Sequence, residues 1–501
     1  MANFFKKYWL LFLLQGFNLF IIFNDNIEFT GDMAMNGLMT YDMQRGNFYS
    51  WYFYGTNYFG NLQPFLLSFL TLFTGISKYS LFFWENLAYF LTVLFLIFRL
   101  KLQNPLLIFI SGLILLFPGR LYYFTFVPMG FAWVTFFAVS LTCFFAWIYE
   151  SNRLIIPLVH ALISAFFLVC IWYNPLILSC APAYLLLLFY QYKEIIKNFS
   201  KYLAFSVLAF LGGMIPFILA SKQTNLANIG FFSGSQNVNI LNNISFVAKD
   251  LILFWTSKVQ LENFIKSPVN SLGNDLSVWI YFLAFASTVF VCILGSRFWL
   301  KERFLLLTLC FSLAAVVSRF YPKNSSGFSF LRYEIIFFTL AFFFIIFSIK
   351  EVYSNYQKVY LKIFAVCSLI LVVNFSLQTM LVKYQYAYKG LEVREIVFNE
   401  LQEKYQVKNL FCLNYWSVCS NLAFYSLETD LKVEITDSDD FKVNVLRNPG
   451  AGEKVSEAKL RGEKVYSLLS KEFLPKKHLN KIVTEYQIQG TYVLIEGDYR
   501  D

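Results

Sequence analysis

YSLFFWENLAYFLTVLFLIFR, residues 79–99, decides how the rest of the chain is read. The run carries one acid, Glu85, before Arg99 closes it. About 20 such residues cross the hydrocarbon core of a bilayer as a helix. Working outward, comparable stretches lie at residues 8–23, 105–118, 128–148, 154–171, 176–192, 202–220, 276–295, 303–318, 333–349 and 360–381. They predict a membrane all-α protein of about 11 transmembrane helices, with the stretches at 105 and 303 short for spanning. The composition agrees, because 501 residues that are 58% hydrophobic, 21% aromatic and only 14% charged cannot supply a water-soluble surface. The 61 Phe residues read as lipid-facing and interhelical filling.

Basic residues mark every second connection. Lys6 and Lys7, then Arg99 and Lys101, Arg153, Lys193 with Lys197 and Lys201, Arg297 with Lys301 and Arg303, and Lys350 with Lys358 and Lys362 all fall on one side. The bias of Lys and Arg in short loops assigns that side to the cytoplasm. Lys6 and Lys7 precede an apolar run with no small-residue cleavage site after it, which reads as an uncleaved first span rather than a signal peptide. The opposite, extracytoplasmic side then receives residues 24–78, the connections near 120 and 173, residues 221–275 and 319–332, and everything after 382. The net charge of +10 is spread over many loops, so topology explains it and no nucleic-acid partner is implied. No P-loop or dinucleotide fingerprint occurs. With two His and no CxxC among eight Cys, no zinc site and no cofactor is indicated.

The tail changes character, alternating polar and apolar residues with mixed charges. It divides the chain into a polytopic membrane domain, 1–384, and a small extracytoplasmic soluble α/β domain, 385–501. Helical spacing covers 393–404, strands are expected at 409–415, 431–436, 441–446 and 491–496, and Asn448-Pro449-Gly450 is a turn. Cys412 and Cys419 could pair as a disulfide if this tail is outside the cell.

Chemistry is sought on the outer side. The first outer loop carries Asp25, Glu28, Asp32 and Asp42 at the membrane border, with only Arg45 opposing them before Lys78. A carboxylate beside lipid suits a general base, since partial desolvation raises its pKa toward working pH; the other reading, preferred for Asp25, Glu28 and Asp42, is a solvated loop acid. Glu85 is an intramembrane acid and so a functional candidate, with a structural hydrogen-bonded role beside Asn86 as the alternative. Gln15, Asn18 and His160 read as helix–helix contacts. Arg120, Arg319, Lys323 and Arg332 are cations on the side that the charge rule disfavours. They can pair with phosphate through parallel donors or anchor lipid headgroups. Residues 221–275 begin polar and turn amphipathic near 244–256, as either a mobile membrane-surface element over an acceptor or a connector.

Several short motifs, in order, carry a resemblance. They are Gly31-Asp32-Met33-Ala34, Arg45-Gly46-Asn47-Phe48, Tyr54-Gly55-Thr56-Asn57-Tyr58-Phe59-Gly60, Trp172-Tyr173-Asn174-Pro175, Gly213-Met214-Ile215-Pro216, Arg332-Tyr333 and Tyr415-Trp416. Together they resemble the C-type (GT-C) membrane glycosyltransferases related to protein O-mannosyltransferases and lipid A aminoarabinose transferases. The resemblance implies transfer of a hexosyl or other glycosyl group from a polyprenyl-phosphate carrier to a glycan, lipid or protein acceptor at the outer face of the bacterial cytoplasmic membrane. Asp32 takes the family's catalytic position. Arg332, Tyr333, Tyr54 and Tyr58, with Lys323, Arg319, Arg120 and Glu85, are then expected to bind the substrate, and membrane lipids are the other partners. Relatives often place a second acid after the first, where this chain has Met33, so Asp42 and Glu85 stand as reserve bases. A transporter or flippase of lipid-linked saccharides is the rival class; an envelope assembly protein using its tail as a binding module is a third.

Overall fold

The computed structural model describes residues 2–24, 31–48, 60–221, 244–245, 276–317, 334–381, 391–413, 418–436, 455–487 and 491–499. Each of the stretches expected to span the membrane coincides with a helix. These are α1 (Ala2–Asn24), α4 (Lys78–Leu100), α5 (Pro105–Leu116), α6 (Phe131–Glu150), α7 (Pro157–Tyr173), α8 (Ala181–Tyr190), α10 (Phe199–Ser221), α11 (Leu276–Ser296), α12 (Arg303–Val317), α13 (Ile335–Asn355) and α14 (Val359–Leu381). Between them lie the shorter α2 (Gly31–Gln44), α3 (Leu62–Leu70) and α9 (Tyr192–Lys197), and three 3₁₀ segments, Gly119–Thr125, Pro175–Cys180 and Trp299–Glu302.

Five of the described helices are long and apolar enough to cross a membrane, within Lys6–Asn24, Lys78–Leu100, Phe131–Glu150, Phe199–Pro216 and Ile335–Asn355. At 23 residues α4 is about 34 Å long, against about 30 Å of hydrocarbon. Large apolar side chains cover the outside: α10 alone exposes Leu203, Val207, Leu208, Phe210, Leu211, Ile215 and Ile218. Water would not tolerate such a surface; lipid tails are its natural solvent, and the protein is a multi-pass membrane protein.

Small residues let the helices approach. A Cβ on Gly213 would lie 2.7 Å from Leu168 Cβ, so the Gly-x-x-Pro element serves close packing of α10 on α7. A Cβ on Gly295 would lie 2.4 Å from Ser348 Cβ, which brings α11 onto α13. His160 bonds Tyr184 through Nδ1 and Ser206 Oγ through Nε2 at 2.9 Å, joining α7, α8 and α10 as the helix–helix contact expected of it.

The basic connections gather at one end of the bundle. Arg99 pairs with Glu302 at 2.7 Å and Glu150 at 2.6 Å. Arg303 lies over the rings of Tyr149 and Tyr190, at 4.4 and 5.1 Å, and Lys301 pairs with Glu351. Lys7 donates to Gln103 Oε1 at 2.9 Å. Alternation of charge along the sequence thus becomes segregation in space, and this end is called the basic end below.

Residues 24–78, expected as a long loop, instead contain α2 and α3. The acidic motif is itself the first turn of α2, and Arg45-Gly46 is the turn after it. The reason is visible in α3, whose faces are inverted: Gln63, Ser68 and the adjoining Thr71 are buried while Phe65, Phe69 and Leu72 are exposed. Such a helix presents its apolar face to lipid and its polar face to protein, the reverse of a soluble amphipathic helix.

The tail begins with α15 (Leu391–Glu403) and builds a five-stranded mixed sheet from β1 (Asn409–Leu413), β2 (Lys432–Thr436), β3 (Tyr466–Ser470), β4 (Ile482–Gln487) and β5 (Thr491–Glu496). The strand order is β2-β1-β3-β5-β4, parallel across β2-β1-β3 and antiparallel beyond. Helices α16 (Ser420–Tyr425) and α17 (Val455–Leu460) complete it. Strands β3 and β4 were not expected, and the stretch 441–446 and the turn at 448–450 lie outside the described residues. Cys412 and Cys419 are disulfide-bonded, their Cα atoms 5.5 Å apart. One apolar core runs from Tyr8 through the membrane helices to Leu494 in β5.

The ion cluster at the basic end should carry measurable stability, because removing one member of a largely buried pair leaves an uncompensated charge. Arg99→Ala is expected to cost about 3 kcal/mol. Its thermal unfolding midpoint in detergent should fall clearly below that of the exposed control Lys193→Ala; equal midpoints would show that the cluster is dispensable.

Candidate functional site

At the end of the bundle opposite the basic connections, polar side chains are buried between helices. Burying a carboxylate is costly unless donors surround it, and Glu85, in the second turn of α4, has no accessible surface. Gln63 Nε2 from α3 donates to its Oε1, and Gly130 packs against that Gln63, so closely that a Cβ there would lie 2.8 Å from Gln63 Oε1. Its Oε2 is buried and has no hydrogen-bond partner. Gly130 is left-handed, with φ at +81°, and its carbonyl accepts from Tyr173 Oη at 3.2 Å. The Glu85 knot therefore joins α3, α4, the start of α6 and the end of α7.

Beside it runs a second network. Asn86 Oδ1 accepts from Gln15 Nε2 at 2.6 Å and from Asn18 Nδ2 at 3.3 Å, while Tyr122 donates to Asn18 Oδ1 at 2.6 Å. Gln15 and Asn18 are helix–helix contacts, as expected, and they fix the 3₁₀ segment that carries Arg120. Tyr122 also stacks on Phe117, ring centroids 5.2 Å apart.

Two of the quoted motifs meet here. The N–H of Gly60, last residue of the Tyr-Gly-x-x-Tyr-x-Gly element, donates to the carbonyl of Trp172, first residue of the Trp-x-x-Pro element, at 3.2 Å. A Cβ on Gly60 would lie 2.7 Å from the Trp172 indole, so only glycine fits. Asn174 then caps the 3₁₀ segment that follows, accepting from the N–H of Leu176 at 3.1 Å.

Asp32 is the second residue of α2. One turn further on, Asn36 is buried and donates to the carbonyl of Pro128, which ties α2 to the chain between Arg120 and Gly130. At the other end of the same helix Gln44 Nε2 donates to Ser68 O at 3.0 Å and Thr71 Oγ1 at 2.7 Å. Asp42 is buried in its last turn, in conflict with its reading as a solvated acid.

Of the expected substrate-binding residues, Tyr54, Tyr58, Arg319, Lys323, Arg332 and Tyr333 lie outside the described residues, as do Asp25, Glu28, Tyr415 and Trp416. Arg332 and Tyr333 directly precede Glu334, which is fully buried and begins α13. Tyr89 Oη, one turn past Glu85, contacts Thr339 Oγ1 of α13 at 3.2 Å. The start of α13 is therefore at the same end as Glu85. Sequence reasoning missed Glu334, Gln63 and Asn36. Glu334 had a signal, an acid within the expected span 333–349; Gln63 and Asn36 had none. Among the described residues no three His, Cys, Asp or Glu side chains are grouped to hold a metal ion.

Gly130→Ala tests the knot. Its methyl would meet Tyr173 Oη at 2.1 Å and Gln63 Oε1 at 2.8 Å from an unfavourable φ. Overpacking of this kind costs roughly 1–3 kcal/mol. The midpoint of thermal unfolding should drop accordingly, whereas Gly75→Ala, which meets nothing within 4 Å at a comparable φ of +72°, isolates the backbone cost.

No family model matches the chain, and no curated protein matches it. Solved structures do. The crystal structure of ArnT from Cupriavidus metallidurans bound to undecaprenyl phosphate is similar at a TM-score of 0.57, with 10% identity, over 97% of this chain and 97% of that one. The apo state of the same protein gives 0.56 and 11%, over 98% of each chain. Along nearly its whole length, membrane helices and tail together, the present chain shares the fold of that protein.

Proposed function

We propose that this protein is a glycosyltransferase that moves a sugar from a polyprenyl-phosphate carrier to an acceptor on the outer face of a bacterial cytoplasmic membrane. The observation that carries the reading is the whole-length likeness to a fold that, in one crystal structure, holds undecaprenyl phosphate. The basic end is then cytoplasmic and the Glu85 end faces outward. The disulfide in the tail supports this orientation, since such bonds persist in oxidising compartments. About 11 spans and the division at residue 384 belong to the same proposal.

Asp32 acts as the base. It takes the proton of the acceptor hydroxyl while that oxygen attacks the anomeric carbon, and the carbon–oxygen bond to phosphate breaks. Attack opposite the leaving phosphate inverts the anomeric centre. Arg332 pairs with the departing polyprenyl phosphate, with Arg319, Lys323 and Arg120 adding positive charge where negative charge develops. Tyr54, Tyr58 and Tyr333 contact the donor. Glu85, held on Oε1 by Gln63 and without a partner on the buried Oε2, contributes a hydrogen-bond acceptor beside the site.

Purified protein supplied with a polyprenyl-phosphate sugar and acceptor lipids or glycans from a bacterial envelope extract should release polyprenyl phosphate. Asp32→Asn should lower kcat by about 10²–10⁴. Movement of the lipid-linked sugar across a vesicle membrane without release would overturn the transferase in favour of a flippase.

A further inference from the structure

Helix α2 is covered from three directions. Met33 to Thr40 are buried without interruption, although the helix belongs to none of the predicted spans. Membrane helix α3 holds its end through Gln44, and the Pro128 carbonyl holds its middle through Asn36. The third contact comes from the tail. The ring of Phe424 in α16 lies over Gly37 so closely that a Cβ there would be 2.1 Å from Cε2 and 2.5 Å from Cδ2. Gly37 is a notch in α2 that the ring fills, little more than one turn past Asp32.

A helix of six residues has no stability of its own, so its surroundings must place α16. Cys419, which immediately precedes it, is bonded to Cys412 in β1. Strand β1 is paired on both edges, with β2 and β3, and all five of its residues are buried. A covalent and packed path therefore runs from the middle of the sheet, through the disulfide and Phe424, to the helix bearing Asp32.

We propose that Phe424, seated in the Gly37 notch and held through the Cys412–Cys419 bond, is a positioning residue that sets the placement of α2 and so the alignment of the base. This rests on Asp32 acting as that base. The tail is then part of the transfer machinery, and reduction of its disulfide releases the strut.

The test uses the full-length protein in lipid nanodiscs. Gly37→Ala puts a methyl into the ring's place, and kcat should fall roughly tenfold or more, because small displacements of a reacting group are costly, while the donor KM stays within about twofold. Phe424→Leu shortens the intruding ring. Combined with Gly37→Ala it should recover most of the lost kcat, a rescue that simple damage to folding would not show. Amide exchange over residues 33–44 should quicken in Gly37→Ala, in Phe424→Ala and in the Cys412→Ser/Cys419→Ser pair, and return in the double variant.

Wild-type kcat and exchange in Gly37→Ala, or a double variant worse than either single one, would overturn the strut. The two readings fail separately. Undiminished release in Asp32→Asn removes the base and with it the catalytic role of the strut. Loss of release in Asp32→Asn, with exchange and kcat unmoved by the Gly37 and Phe424 changes, keeps the base and removes the strut.

Discussion

A carboxylate with no access to water must be satisfied by the protein around it, and Glu85 imposes that demand between membrane helices. The donor to its Oε1 is a Gln on one short helix, and that Gln is packed against a left-handed glycine, Gly130, where a Cβ would clash. Tyr173, bonded to the same glycine, brings the end of α7. Because Glu85, Gln63, Gly130 and Tyr173 sit on different elements, this arrangement forms only where α3, α4, α6 and α7 come together. Burial of a charge contributes little net stability, but it specifies position.

The two ends of the bundle solve the problem of exposed helix termini differently. At the basic end Arg99, Glu150 and Glu302 form a cluster of full charges. Burial raises the Glu302 carboxyl above the usual carboxylate range, and the Arg99 guanidinium opposes that rise. At the other end the hydrogen bonds described join amides, a tyrosine and the Glu85 carboxyl. An end stitched by ion pairs is closed and rigid.

The membrane helices were legible because they need no periodicity: a long apolar run reads as a membrane helix whatever it packs against. Helices α2 and α3 were not, for opposite reasons. Gly31–Gln44 is buried by partners remote in sequence, so its mixture of Met, Asn, Gly and Thr shows no face. Leu62–Leu70 has a face, but it is turned outward to lipid. In the tail β1, β2 and β5 were found, whereas β3 is only five residues of largely buried Tyr, Ser and Leu, and β4 buries only Tyr486, so its inner face carries no apolar pattern. Of the site, the motifs showed where to look, and the contact of Gly60 with Trp172 gives two of them a physical cause. That Glu85 needs Gln63 could not be read, because hydrogen bonds across the fold leave no linear trace.

Helix α2 stands where these features meet. It carries the acid closest to the expected chemistry, yet it is too polar to be held by lipid and too short to span. Its position must come from its neighbours, and those neighbours belong to both parts of the chain: α3 and the Pro128 segment on one side, Phe424 of the tail on the other. The continuous apolar core from α1 to β5 expresses the same dependence. A tail attached only by its linker would have its own core and leave α2 exposed to water. This one closes the helix's last uncovered side, which is a physical reason for a membrane protein of this design to carry a folded sheet at its C-terminal end.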